Sequence, residues 1–268
     1  QVPEGQRQRE EVALHLVAGV SYYKAAVPTD IRIEGYEIDA DTAAFLETVY
    51  LNGLGEFAYR NGLDLRGRIK FPAGGASAPN EASIAAEAAP TLGLREHALV
   101  AIGGGKDSLV SIEALRSAGI EQTVTWIGGS QLIAACAVHT GLPTLNIGRQ
   151  LAPQLFEYNR LGAWNGHIPV TAVNSAILAF AAVLLGVDQV VFSNERSASY
   201  GSIIPGTGEV NHQWSKGWAF ESALGDWLQR HVAADLQYYS LLRPMSELAV
   251  ARQFAKVSRY DAHFSSCN

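Results

Sequence analysis

The sequence predicts an α/β fold: a doubly wound parallel sheet of five strands, preceded by a small α+β domain. Three observations carry this. From Ala98 onward, short apolar runs alternate with stretches of helical spacing, the pattern of a parallel sheet covered on both faces. The first of these runs meets its helix across three glycines, Gly103, Gly104 and Gly105. The chain has 268 residues, 48% hydrophobic and 17% charged, enough to bury a sizeable core with no long disordered tail.

Residues 1–95 read as the small α+β domain. Residues 11–20 are apolar and fit a buried strand or a short helix. Ser21-Tyr22-Tyr23-Lys24 follows. Residues 31–34 alternate like an edge strand. Residues 43–61 read as two helices broken at Gly53 and Gly55, and 71–79 as a linker. His15, Tyr22, Tyr23 and Lys24 can reach a ligand or serve as packing and surface residues.

Residues 96–268 read as the sheet domain with a C-terminal helix. The strands fall at 98–102, 122–127, 143–147, 188–193 and 236–242. Helices fall at 107–118, 130–140, 170–185 and 217–233, with a last one at 245–257. Right-handed crossovers leave few topologies for this order. The longest apolar run, 176–185, is too short to span a bilayer and reads as a buried helix, so no membrane partner is expected.

At the first strand–helix turn, glycines without Cβ atoms bring backbone N–H groups close to an anion. The helix that follows adds its unpaired N–H groups and positive dipole end, with Asp107 or Ser108 as its cap. A dinucleotide fingerprint lacks its third glycine, because position 108 is serine, and a P-loop fails because Asp107 follows Lys106. Gly103-Gly104-Gly105-Lys106-Asp107-Ser108 resembles the [SG]-G-G-x-D-S loop of the ATP pyrophosphatases at every fixed position. That resemblance implies ATP cut between the α and β phosphates. Gly103, Gly104, Gly105 and Ser108 would hold the β and γ phosphates, with Lys106 or Asp107 assisting charge or Mg²⁺. The competing reading is a glycine turn packed on a strand.

In such sheets ligands sit beyond the carboxyl ends of the strands, where strand order reverses. Gly128-Gly129-Ser130 follows the second strand and Asn194-Glu195-Arg196-Ser197 the fourth. His167 and the stretch Asn211-His212-Gln213-Trp214-Ser215-Lys216 each precede a helix that starts at the same edge. All these polar groups therefore fall beside the glycine loop. Arg196 and Lys216 are expected to face phosphate or carboxylate, with Asn194 and Glu195 fixing their orientation or a Mg²⁺; Gly128, Asn194, Arg196 and Ser197 are expected to bind the cofactor, and Glu195 joins Asp107 as a metal ligand. Glu195 and Arg196 as a structural ion pair, and His167 as a turn residue, are the bland readings. His212 and Lys216, four apart, would share a face at a helix start. Trp126, Trp214 and Trp218 read as core or wall residues, and Cys136 as an inert buried thiol.

The net charge of −6 disfavours a nucleic-acid partner. Two cysteines, Cys136 and Cys267, imply no disulfide framework and suit the reducing cytoplasm. The chain begins at Gln1 and ends at Cys267-Asn268, and both ends read as trimmed.

Taken together, His15-Leu16-Val17-Ala18-Gly19-Val20-Ser21-Tyr22-Tyr23-Lys24, the GGGKDS loop, Asn194-Glu195-Arg196-Ser197-Ala198 and Asn211-His212-Gln213-Trp214-Ser215-Lys216 resemble the UDP-N-acetylmuramoyl-L-alanyl-L-glutamate epimerases of peptidoglycan synthesis. The resemblance covers nearly the whole chain. It implies ATP- and Mg²⁺-dependent inversion of the terminal L-glutamate of UDP-MurNAc-L-Ala-L-Glu through an acyl-adenylate, with AMP and pyrophosphate as products. Another ATP pyrophosphatase (an amide-forming ligase or a tRNA thiolation enzyme) and a nucleotide-binding regulator are the alternatives. A base with a near-neutral pKa favours histidine. His212 is the first choice, with Lys216 as modulator or second acid, and His167 the next; His15 is held in reserve.

Overall fold

A computed structural model of the chain describes residues 4–74, 83–84 and 89–265. The N-terminal part opens with two helices, α1 (Glu4–Ala18) and α2 (Val20–Ala26). Residues 11–20 are thus helical, with the break at Gly19. A Cβ at Gly19 would lie 2.7 Å from the Tyr50 hydroxyl oxygen, and that hydroxyl donates to the Leu16 carbonyl at 2.6 Å. The helix junction and the tyrosine occupy the same space, which only glycine allows. A two-residue strand β1 (Glu37–Ile38) leads to α3 (Ala40–Gly53), capped by Asp39, and α4 (Gly55–Arg60). The expected break at the two glycines is where the helices part. Strand β2 (Ser83–Ile84) pairs in parallel with β1.

Residues 31–34 are not a strand. Their side chains do alternate between half-buried and exposed, but no ladder partner lies beside them among the described residues; the pairing strand comes after Gly35, whose φ of +87° turns the chain. Of the expected linker 71–79, residues 71–74 lie outside helix and strand and the rest lie outside the described residues.

The main sheet contains β3 (Arg95–Ala101), β4 (Gln122–Ile127), β5 (Thr144–Ile147), β6 (Val187–Phe192) and, later, β9 (Gln237–Ser240). All its pairings are parallel and the order is β5-β4-β3-β6-β9. Between the strands run α5 (Lys106–Ser117), α6 (Gln131–His139), α7 (Pro153–Arg160), α8 (Val170–Leu185) and α9 (Trp218–His231); α10 (Glu247–Phe254) closes the series. The five expected strands and five expected helices are present; 122–127 and 170–185 match at both ends, and the other ends move by at most three residues. Not foreseen were α7 and a hairpin of β7 (Ser202–Ile204) and β8 (Gly208–Val210) around Pro205-Gly206-Thr207.

Burial explains the double winding. On one face, Leu99, Val187 and Val190 join residues of α1, α3, α8 and α9 in a single apolar cluster, so the N-terminal helices pack into the same core as the sheet. On the other face, Val100, Val124 and Val191 pack with Leu109 and Ile112 of α5, Cys136 and Ala137 of α6, and Tyr260. The chain runs outward from β3 through β4 to β5, then returns to place β6 on the other side of β3. Strand order therefore reverses between β3 and β6, and the crevice beyond their carboxyl ends is where a ligand fits. No helix among the described residues is long and apolar enough to cross a membrane.

Candidate active site

The crevice is flanked first by the glycine loop. Gly104 has φ +81°, a conformation that side-chain-bearing residues rarely adopt. Gly105 is the N-cap of α5, in extended conformation and without a side-chain cap. Neither Asp107 nor Ser108 caps the helix, contrary to expectation. Helix α5 starts one residue early, at Lys106, so both side chains lie inside its first turn; Ser108 Oγ instead donates back to the Gly105 carbonyl at 3.0 Å. The uncapped first turn of α5 leaves N–H groups for an anion. Lys106 Nζ lies 3.3 Å from Asp107 Oδ1 and 3.4 Å from Glu247 Oε1. Burial is the largest influence on this ammonium and pulls its pKa down, but the two carboxylates together hold it above its ordinary value.

Beside the loop, Ser130 caps α6 and Ile133 approaches Gly104. A cavity of about 310 Å³ lies between them. Gly128 is not part of its lining. Its carbonyl accepts from Asn146 Nδ2 at 2.9 Å and its N–H donates to Ile147, tying β4 to β5.

The second flank follows β6. Asn194 Nδ2 donates to Ser240 Oγ at 3.0 Å. Glu195 caps a 3₁₀ turn, Arg196–Ser199, its carboxylate accepting from the Ser197 N–H at 2.6 Å and from the Ser197 hydroxyl. The Glu195–Arg196 ion pair is therefore absent. The Arg196 guanidinium is exposed and makes no hydrogen bond or ion pair among the described residues, and neither does the Lys216 ammonium.

What holds this flank together was missed from sequence. Arg243 and Glu221 form a buried ion pair at 2.6 Å, with side-chain exposures of 13% and 4%. The same guanidinium donates to the carbonyls of Glu195 (3.0 Å) and Lys216 (2.7 Å) and to Ser199 Oγ (3.3 Å). Arg243 follows the last strand at the carboxyl edge, so the rule that singled out Asn194 would have found it too.

The third group is the histidine pair. The His167 and His212 rings are 6.1 Å apart and nearly perpendicular. Desolvation leads in lowering the His167 pKa; Glu56 and a hydrogen bond to the His212 backbone oppose it, while the charges of His212 and Lys216 push it further down. His212 and Lys216 do not share a helix face. Lys216 ends a 3₁₀ turn, Trp214–Lys216, and α9 begins only at Trp218, because Gly217 takes an extended conformation. Close by, buried Lys24 donates to Asn165 Oδ1 at 2.8 Å, and burial lowers its pKa. Tyr23 is buried against Tyr50, whereas Tyr22 and His15 are exposed. A cavity of about 790 Å³ lies between the N-terminal helices and the hairpin, lined by Tyr59, Arg66, Ser199, Asn211 and Trp214 among others.

An apolar cavity of about 600 Å³ under α8 includes no residue of the glycine loop or of the 194–199 loop. Trp126 and Trp214 are partly buried as expected, but Trp218 is 57% exposed at the start of α9. Cys136 is a buried thiol whose pKa burial raises; Cys267 lies outside the described residues. No group of three or more His, Cys, Asp or Glu able to hold a metal comes together among the described residues.

Comparison with known proteins places the chain. The family described as the MurL N-terminal domain matches residues 4–241. The chain belongs to the MurL N-terminal domain family. It is 78% identical over 255 residues to a protein of Xanthomonas oryzae pv. oryzae named UDP-N-acetyl-alpha-D-muramoyl-L-alanyl-L-glutamate epimerase, covering 95% of this chain and 55% of that protein. Proteins of the same name from Salinispora tropica and a Micromonospora species are each 44% identical, over 95% of this chain and 54% and 55% of their own lengths. The chain thus spans about half the length of the curated relatives it matches. The MurL match includes the glycine loop, the 194–199 loop and both histidines. Arg243, Glu247 and the segment after α10 lie beyond it.

Proposed function

We propose that the chain carries the ATP-using, stereo-inverting chemistry of a UDP-MurNAc-L-Ala-L-Glu epimerase in peptidoglycan synthesis. Membership of the MurL family, whose curated relatives bear that name, is the observation that carries this. The placement of the glycine loop at the switch point supports an ATP-pyrophosphatase-type sheet domain after about residue 95, preceded by an N-terminal α+β domain.

The chemistry asks for activation first. The Cα–H of a glutamate beside a free carboxylate ionises poorly, because the carbanion would sit next to a second negative charge. In this reading the α-carboxylate attacks the α-phosphorus of ATP, pyrophosphate leaves, and the acyl-adenylate so formed is neutral at the carboxyl and far more acidic at Cα. Gly103, Gly104, Gly105 and Ser108 receive the leaving phosphates through backbone N–H groups and the α5 terminus. Asp107, whose Oδ1 is enclosed beside Lys106, is the carboxylate suited to a phosphate-held Mg²⁺, which takes one or two carboxylates and keeps several waters. The ion supplies charge neutralisation at the departing pyrophosphate. Glu195 joins it only by releasing Ser197. Arg196 and Lys216 face the remaining negative groups.

Inversion takes a proton from one face of Cα and returns one to the other. His167, kept neutral by burial and by Lys216, suits the base, with His212 opposite as the partner acid. Water then releases AMP. The setting is the cytoplasm, where Cys136 remains a thiol.

Incubation with ATP, Mg²⁺ and UDP-MurNAc-L-Ala-L-Glu, followed by chiral analysis of the glutamate and assay of AMP against ADP, tests this. D-glutamate with AMP is the expected result. AMP without inversion would point to an amide-forming ligase, and ADP would remove the pyrophosphatase reading.

A further inference from the structure

We propose that Ala262, His263, Phe264 and Ser265 form a strap that walls the pocket for the purine base of ATP and sets the glycine loop for its phosphates. This rests on the reading that the chain binds ATP. The strap is held at both ends. At its start Tyr260 is fully buried, with its hydroxyl donating to Glu113 Oε1 at 2.5 Å. Arg259 beside it donates to the carbonyls of His139 (3.2 Å) and Thr140 (2.8 Å). At the far end the Ser265 N–H donates to the Gly104 carbonyl at 2.8 Å. Between these anchors the strap crosses the 310 Å³ cavity, whose other walls are Gly103, Gly104, Ser130 and Ile133.

That volume sits at the lower end of ligand pockets, about 300–1,000 Å³. It suits a heterocyclic base better than a sugar nucleotide carrying a peptide. Two aromatic side chains line it and each is braced from behind: Phe264 edge-on against Phe254 with centroids 4.7 Å apart, and His263 against His139 at 3.8 Å. Flat apolar and aromatic walls are what a base stacks on. The bond to Gly104 adds a second effect. In a trans peptide the carbonyl and the next N–H point in opposite directions. Turning the Gly104 carbonyl to the strap therefore turns the Gly105 N–H away from it. The base lies on the strap side of the loop and the phosphates meet the N–H side.

The test is titration calorimetry with two probes, ATP and inorganic pyrophosphate, both with Mg²⁺. Phe264→Ala is expected to weaken ATP at least tenfold and leave pyrophosphate within twofold, because pyrophosphate occupies the loop alone. Ser265→Pro, which removes the donor to Gly104, is expected to weaken both probes, whereas Ser265→Ala weakens neither. Thermal unfolding of each variant checks the fold. Phe264→Ala that binds ATP normally, or that loses both probes in equal measure, overturns the base pocket. Ser265→Pro that binds both normally overturns the setting of the loop. A wild-type protein that binds neither probe removes the ATP reading itself, and this proposal with it.

Discussion

At the scale of single residues, the proposed proton transfer rests on His167. Its pKa is lowered first by its own burial and then by the charges of His212 and Lys216, while Glu56 and a hydrogen bond to the His212 backbone raise it. A lowered histidine is neutral at neutral pH and ready to accept a proton. The acid limb of kcat/KM is therefore expected below the ordinary histidine value of about 6.5. Lys216→Gln removes a positive neighbour, so the His167 titration, followed by NMR, should move up, and the acid limb with it. Glu56→Gln should move it down. A limb that ignores both changes would separate His167 from the rate. His212→Asn is expected to keep pyrophosphate release and proton removal at the glutamate Cα while losing inversion to D-glutamate. Retained inversion would assign His212 to a structural role.

At the scale of elements, the carboxyl edge depends on one guanidinium. Arg243 ties the loop after β6, the 3₁₀ turn before α9 and α9 itself through four acceptors. Glu221→Gln leaves that charge buried without its counter-charge, and removal of one partner of a buried pair typically costs about 3–5 kcal/mol. The three remaining acceptors put the expected loss near the lower figure, readable as a fall in the urea midpoint. A loss under about 1 kcal/mol, the range of surface pairs, would mean that water reaches Arg243. The same elements show what the sequence can reveal. Strands β3, β4 and β6 and helices α5, α6 and α8 were legible because burial against the sheet leaves apolar runs or apolar helical spacing in the sequence. The β7–β8 hairpin was not, since its three-residue strands are mostly exposed and carry no such run. Residues 31–34 have the alternation of a strand but no neighbour to pair with, and sequence periodicity does not report partners. The glycine loop was legible because φ > 0 and an uncapped helix start leave few residue choices. Arg243 stands without a polar cluster beside it, so its place at the carboxyl end of the last strand is its only mark in the sequence.

At the scale of the whole molecule, the question is how the N-terminal helices stay on the sheet that carries the glycine loop. Apolar packing supplies most of the hold, including Phe45 of α3 stacked on Trp227 of α9 at 5.5 Å. A polar seam runs beside it. Trp227 Nε1 donates to Thr42 Oγ1 at 3.1 Å. The Asp41 carboxylate meets His231 Nε2 at 2.6 Å and also pairs with Arg230, while Asp39 lies 3.6 Å from His231 Nδ1. Burial alone would raise the Asp41 pKa and is the largest single influence. The hydrogen bonds and charges of His231 and Arg230 outweigh it and hold the carboxyl below its usual value. A depressed carboxylate stabilises the folded state at pH values above its unfolded pKa of about 3.9, and the contribution disappears as pH falls through the folded value. Asp41 is 43% exposed, so solvent screens the pair and the effect is modest. Asp41→Asn is therefore expected to lower the urea midpoint slightly at pH 7, and the gap from wild type should narrow as pH falls below about 4. Asp39, Arg230 and His231 are unchanged in both proteins, so the closing gap reports Asp41 itself. A gap of the same size at pH 3 and pH 7 would show that the shape of this side chain, not its charge, joins the N-terminal helices to α9.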